Sequence, residues 1–128
     1  MLTIDIITCL NDNYSYLLHD SATNTVAVID PSDFNPCNSA IEKKYKKLDY
    51  ILNTHHHLDH VGGNLELKEK YDSKILGFEK DKDRIPGIDI NLNDKQNFEI
   101  GSVMFEVIFI PGHTDGHIAL YSKKEKVI

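Results

Sequence analysis

The junction between one short apolar run and a dense group of metal-type side chains narrows the range of folds more than anything else in this chain. Tyr50-Ile51-Leu52 reads as a short buried strand, and Thr54-His55-His56-His57-Leu58-Asp59-His60-Val61-Gly62-Gly63-Asn64 follows one residue later. His55, His57, Asp59 and His60 fall within six positions, a density that packing does not explain. The glycine pair behind them permits close backbone approach and a sharp turn from strand into helix. Such a chain carries its polar chemistry on a loop at the carboxyl end of a strand, where a rigid layered scaffold can aim it. Residues two apart in an extended segment point to the same side, so His55, His57 and Asp59 converge on one region. His60 adds a donor at the turn. Neutral imidazoles and a carboxylate suit Zn, Fe or Mn, and the lack of cysteine in the group argues against a structural thiolate site.

A second segment, Pro111-Gly112-His113-Thr114, sets another histidine on a tight turn just after an apolar strand. Alone it is ambiguous; beside the first cluster, His113 reads as a further ligand. His56 reads as a spacer or as a support behind the ligands, and His117 as a supporting or packing residue. His19 reads as a solvated loop histidine.

The rest of the pattern predicts mixed α/β layering in which strands dominate and two helices are inserted. Alternation at Leu2, Ile4 and Ile6 predicts a first strand, Asn11-Asp12-Asn13 a turn, and residues 14–18 a second strand. A turn at 21–24 leads to the apolar run 26–29, closed by Asp30-Pro31 because proline cannot continue a central strand. From about Asn38 the period changes: Ile41, Tyr45 and Leu48 form one stripe of an amphipathic helix. A second helix follows Gly62-Gly63-Asn64, its buried face including Leu65 and Tyr71. Residues 74–78 read as a short strand, 79–84 as a charged solvated loop, and 103–110 as a strand ending at Pro111-Gly112. Residues 118–122 and 127–128 read as two strands joined by charged residues. The apolar run at the end predicts that part of the domain is missing.

Charge and composition bound the partners. A net charge of -6 over 128 residues repels phosphate backbones and anionic membrane surfaces, so neither nucleic acid nor a membrane is expected as a partner. No apolar stretch approaches the roughly 20 residues that span a bilayer. Met1-Leu2-Thr3-Ile4-Asp5-Ile6 has no basic n-region or cleavage site of a signal peptide. Cys9 and Cys37 lack metal or redox spacing and read as reduced thiols of a cytoplasmic protein.

The motif His55-x-His57-x-Asp59-His60 resembles the metal signature of the metallo-β-lactamase superfamily, and the whole string over 54–64 is most similar to the hydroxyacylglutathione hydrolase (glyoxalase II) family. Three further segments are similar to that family: Asp12-Asn13-Tyr14-Ser15-Tyr16-Leu17, Arg84-Ile85-Pro86-Gly87-Ile88-Asp89 and Pro111-Gly112-His113-Thr114-Asp115-Gly116-His117-Ile118. The resemblance implies an αββα sandwich of which residues 1–128 are the amino-terminal half. It implies His55, His57 and His113 as ligands of one metal, and Asp59 and His60 as two ligands of a second. It also implies hydrolysis of the thioester of S-(2-hydroxyacyl)glutathione to glutathione and a 2-hydroxy acid such as D-lactate, the chemistry of methylglyoxal detoxification. Zn2+, or Fe or Mn in its place, would be the cofactor. Asp59 would orient the attacking water or exchange a proton with it.

The family continues with an aspartate bridging the two metals, a further histidine and a helical glutathione-binding region, none of which has a match here. A single metal at the three-histidine site is therefore expected to bind better than a pair. Half of the fold is also expected to leave an apolar sheet face exposed, which self-association or a complementing chain would cover. Two other readings stand beside the hydrolase. One keeps the fold with a different substrate: a lactonase, another thioesterase, or a sulfur-oxidising relative with one iron. The other is a split remnant or interaction module that binds metal without catalysis of its own.

Overall fold

A computed structural model describes residues 2–9, 13–54, 61–79, 82–109 and 118–122, with backbone only at Cys9, Asn13 and Ala119. Among these residues nine strands and two helices form. Strands β1 (Leu2–Cys9), β2 (Asn13–Asp20), β3 (Thr25–Ile29), β4 (Tyr50–Leu52), β5 (Lys74–Phe78) and β6 (Ile90–Leu92) make a six-stranded sheet in that order. Strands β7 (Asn97–Ile100), β8 (Val103–Phe109) and β9 (Ile118–Tyr121) make a second, antiparallel sheet. In the large sheet β1, β2 and β3 pair antiparallel, whereas β3, β4, β5 and β6 run parallel. Parallel neighbours need crossover connections. The first two are helices: α1 (Phe34–Lys44) between β3 and β4, and α2 (Asn64–Tyr71) between β4 and β5.

Period-2 alternation in the parallel strands divides their side chains between two cores. Val26, Val28, Ile51 and Ile75 face the helices and pack with Cys37, Ile41 and Leu67. Ala27, Leu52, Leu76, Phe78 and Leu92 face the second sheet and meet Ile100, Val103, Phe105, Val107, Ile118 and Leu120. The strands buried on both faces are accordingly the near-continuous apolar runs of the sequence. A helix layer, a six-stranded sheet and a three-stranded sheet are stacked in that order, an α/β sandwich. The second helix layer of the expected αββα arrangement is not among the described residues.

The expected apolar exposure is concentrated at one edge. Ile4, Ile6, Tyr14 and Tyr16 are exposed, up to 66% at Ile6. They share a face with Leu18, because Ile4 pairs with Leu18 and Ile6 with Tyr16. Over β3 to β6 the same face is covered by the small sheet. Among the described residues no helix is long and apolar enough to cross a membrane.

Both helices differ from the sequence expectation. Helix α1 starts at Phe34 rather than near Asn38, after Asp33 in extended conformation. Pro36 falls in its first turn, where a missing N–H removes nothing from the helix ladder. It ends at Lys44 because Lys46 adopts φ 59, and the N–H groups of Tyr45 and Lys46 both close onto the Ile41 carbonyl at 2.8 Å. Tyr45 and Leu48 thus continue the apolar stripe from outside the helix. In α2 the buried residues are Asn64 and Leu67, with Tyr71 packed at the margin, while Leu65 is 56% exposed. Turning Asn64 inward rotates Leu65 about 100° round the axis to the solvent side. The structure also adds β6 and β7, which the sequence pattern did not predict. Residues 127–128, expected as a strand, lie outside the described residues.

Candidate metal-loop site

The site is built on the exit of β4. Asn53 continues the parallel ladder by donating its N–H to the Leu76 carbonyl at 2.9 Å. Thr54 then leaves the sheet under control of Asp30. Its N–H donates to Asp30 Oδ1 at 2.8 Å and its hydroxyl to Asp30 Oδ2 at 2.5 Å. Asp30 sits at the end of β3 with φ 52, a left-handed conformation that aspartate tolerates better than most residues. Its own N–H reaches the Leu52 carbonyl at 2.8 Å. Its carbonyl accepts from the buried Ser15 hydroxyl at 2.7 Å and from Ser32 Oγ at 3.4 Å. The backbone kink closing β3 therefore aims a carboxylate at the first residue of the histidine-bearing segment.

The far end of that segment is held as closely. Gly63 N–H donates to the Pro31 carbonyl at 2.7 Å. A Cβ at Gly63 would lie 3.1 Å from Pro31 O and 3.2 Å from Phe34 N, so glycine is what lets the start of α2 approach the start of α1. Asn64, the first residue of α2, exchanges two side-chain hydrogen bonds with Asn53, and its Nδ2 also reaches the Pro86 carbonyl at 3.3 Å. The loop containing Pro86 is strapped to α2 by Lys68 Nζ, which donates to Gly87 O at 2.9 Å and Asp89 Oδ1 at 2.8 Å. Burial works to raise the Asp89 carboxyl, but the bonds from Lys68 and the Ile75 N–H outweigh it and hold the group below the usual carboxylate range.

His55, His56, His57, Asp59 and His60 lie in residues 55–60, outside the described residues, and so do His113 and His117 in residues 110–117. The structure does describe the residues flanking both segments, and these meet. The Ile118 N–H donates to the Thr54 carbonyl at 2.8 Å, joining the residue before His55 to the residue after His117. Phe109, the last residue of β8, stacks on Phe78, the last residue of β5, with ring centroids 5.0 Å apart. Both segments thus start from one end of the sandwich, beside the carboxyl ends of the parallel strands. Among the described residues no group of three or more His, Cys, Asp or Glu is placed to hold a metal. The candidate ligands remain those of residues 55–60 and 113, an imidazole and carboxylate set suited to a borderline divalent cation.

His19 differs from its reading as a solvated loop residue. It lies in β2, stacks on the Tyr45 ring with centroids 4.5 Å apart, and bonds Asn24 Oδ1 at 3.0 Å. Sequence reasoning missed Asp30, Ser15, Asn53 and Asn64. Asp30-Pro31 was legible as a strand end, but nothing local says that its carboxylate reaches Thr54.

Residues 11–128 match the family profile described as the metallo-beta-lactamase superfamily. The chain is 50% identical over 127 residues to a protein of Pelagibacter ubique named hydroxyacylglutathione hydrolase, covering 99% of this chain and 53% of that protein. It is 42% identical over 128 residues to the protein of that name from Methylococcus capsulatus, covering 100% of this chain and 50% of the other. The chain therefore spans about half the length of these curated relatives. Among solved structures, the BLEG-1 B3 metallo-beta-lactamase superposes with a TM-score of 0.82 at 21% identity, covering 98% of this chain and 68% of that one. ETHE1 from Myxococcus xanthus superposes with a TM-score of 0.79 at 23% identity, over 94% and 53%. At these identities the two structures bear on the fold alone, and it is the same fold. With the family profile extending over nearly the whole chain and the flanks of both histidine-bearing segments meeting at one end of a layered α/β sandwich, the chain belongs to the metallo-beta-lactamase superfamily.

Proposed function

We propose that this chain carries the metal-binding half of a thioester hydrolase of the hydroxyacylglutathione hydrolase type. Its substrate class would be S-(2-hydroxyacyl)glutathione, cleaved to glutathione and a 2-hydroxy acid such as D-lactate, as in methylglyoxal detoxification. The observation that carries the reading is the 2.8 Å hydrogen bond from Ile118 to Thr54, because it ties together the two segments that hold every candidate ligand. The name shared by the half-matched relatives supports the substrate class.

His55, His57 and His113 would hold one cation, with Zn2+ first and Fe or Mn as alternatives; Asp59 and His60 would contribute to a second site. When bound, the metal supplies Lewis acidity and lowers the pKa of water toward about 7. Asp59 is the residue that would orient the attacking water and take up or return its proton. Attack at the thioester carbonyl breaks the C–S bond, and the thiolate is a good enough leaving group to ease the demand for a general acid. Asp30 takes no part in the chemistry. Through Thr54 it determines where the first ligand segment begins.

Coverage of about half of each relative supports a second reading, in which the chain holds metal without turnover of its own. The deciding measurement is hydrolysis of S-lactoylglutathione by the purified, zinc-loaded chain beside the His55→Ala/His57→Ala variant. Hydrolysis that disappears in the variant supports the hydrolase. A folded, zinc-bound chain without turnover supports the second reading, and a chain that takes up no zinc overturns both. Asp59→Asn tests the proton role: metal retained with near wild-type turnover would contradict it.

A further inference from the structure

Asn53 and Asn64 are buried polar side chains that no step of the proposed reaction uses. Asn53 is 1% exposed and Asn64 is fully buried. They face each other across the neck of the segment that contains residues 55–60. Asn53 Nδ2 donates to Asn64 Oδ1 at 3.2 Å, and Asn64 Nδ2 donates to Asn53 Oδ1 at 2.6 Å. Burying two amides is unfavourable unless they are paired, and an apolar pair would fill the same space without that requirement. What the amide pair adds is direction. Two antiparallel hydrogen bonds set both the separation and the relative rotation of the exit of β4 and the first turn of α2.

We infer that Asn53 and Asn64 form a positioning clamp that fixes the separation and rotation of the β4 exit and the start of α2, and that the zinc affinity of the intervening segment depends on it. The inference rests on the metal-binding reading above. The pair does not act alone. Thr54 on Asp30 and Gly63 on Pro31 hold the backbone beside each amide, so the neck is pinned at three levels. Fixing the two ends of a chain segment lowers the conformational entropy that ligand binding must otherwise remove. Groups hydrogen-bonded directly to metal ligands are worth about 10- to 100-fold in metal affinity, and a clamp that acts through the backbone is expected at the lower end of that range. Asn64 also reaches the Pro86 carbonyl at 3.3 Å, which couples the clamp to the loop bearing Gly87 and Asp89.

The test compares Asn64→Ala with the double variant Asn53→Leu/Asn64→Leu. The single change leaves one amide buried opposite a void and lowers overall stability. The double change replaces both partners with apolar groups of similar shape, which is close to neutral for folding. Two readouts are taken on each folded protein by circular dichroism: the zinc dissociation constant by competition with a chromogenic chelator, and the rise in thermal midpoint on adding zinc. A purely structural pair would lower the midpoint with and without zinc alike and leave the dissociation constant unchanged. The clamp predicts a roughly 10-fold weaker zinc affinity in the double variant, with a smaller zinc-induced rise. Zinc affinity within twofold of wild type in the folded double variant overturns the inference while leaving the metal reading intact. A wild-type chain that takes up no zinc, or a His55→Ala/His57→Ala variant that binds it as well as wild type does, removes the metal reading and the clamp with it.

Discussion

Replacing Asp20 by asparagine should destabilise the docking of the two sheets, and with it the junction from which the histidine-bearing segments leave. Asp20 ends β2 and is completely buried. Its Oδ2 accepts from the Ser102 N–H at 2.8 Å, the Ser102 hydroxyl at 2.8 Å and the Thr23 hydroxyl at 2.7 Å. Ser102 lies in the turn between β7 and β8, so this carboxylate latches the small sheet onto the large one. The Ser102 backbone N–H, followed by Thr23, holds the Asp20 carboxyl well below the usual carboxylate range against the opposing effect of burial. A charged acceptor roughly doubles the strength of each bond, so losing the charge at three bonds removes about 1 kcal/mol from each and about 3 kcal/mol in all. For a chain of this size that is roughly a 10 °C fall in thermal midpoint. A depressed folded pKa contributes stability that is complete above the unfolded value and lost as pH falls toward the folded one. The gap between wild type and Asp20→Asn should therefore be constant above pH 5 and shrink by about 1.4 kcal/mol per unit below about pH 3.9. Urea denaturation of both proteins at pH 7, 5 and 3 measures it. A gap under about 0.5 kcal/mol at pH 7, well below the bond estimate, would refute the latch. A gap independent of pH down to 3 would refute the linkage.

Three further outcomes are expected. Gly63→Ala should cost about 1 to 3 kcal/mol, because the added Cβ meets backbone atoms of Pro31, Asp33 and Phe34 at 3.1 to 3.3 Å and neither side can yield cheaply; an unchanged urea midpoint would contradict that. Thr54→Val removes the hydroxyl bond to Asp30 and should lower stability by about 1 to 2 kcal/mol, whereas Thr54→Ser should stay near wild type in the same thermal melt. If both variants melt alike, the hydroxyl is not what matters. Chelation should lower the midpoint of zinc-loaded wild type, by an amount equivalent to about 2.7 kcal/mol when zinc had been present at 100 times its dissociation constant, and should leave His55→Ala/His57→Ala unmoved. An equal response of the two proteins would place the bound zinc elsewhere.

The parts of this fold that were legible in the sequence are those whose physical cause is local. The runs at β3, β4, β5 and β8 are apolar because both or alternate faces are buried, and burial of that kind leaves a pattern within three to seven consecutive residues. Strands β6 and β7 left little pattern. Ile90–Leu92 buries only Leu92, and Asn97–Ile100 holds its place through pairing with β8. The end of α1 was misplaced for a related reason, since the stripe Ile41, Tyr45, Leu48 has helical spacing while the left-handed turn at Lys46 interrupts the helix itself. Leu65 was misassigned because apolar character was taken to decide which face of α2 is buried, whereas a polar residue, Asn64, decides it.

The candidate site divides along the same line. Metal-type residues concentrated within six positions announce themselves by composition, and the second segment is marked by proline and glycine beside a histidine. The groups that hold the flanks of those segments, and the sheets behind them, act over long separations: 24 residues from Asp30 to Thr54, 15 from Ser15 to Asp30, 11 from Asn53 to Asn64, 82 from Asp20 to Ser102. At such distances a residue type carries no local signature of its role. Asp30 looks like a turn former, Asn64 like a helix cap, and Asp20 like a surface charge. Each is buried because the partner it satisfies is brought to it by the sheet. The candidate ligands are thus named by short motifs, while the points from which their segments start are set by the topology. Substitutions that spare every histidine but touch this support should weaken metal affinity before they remove any ligand.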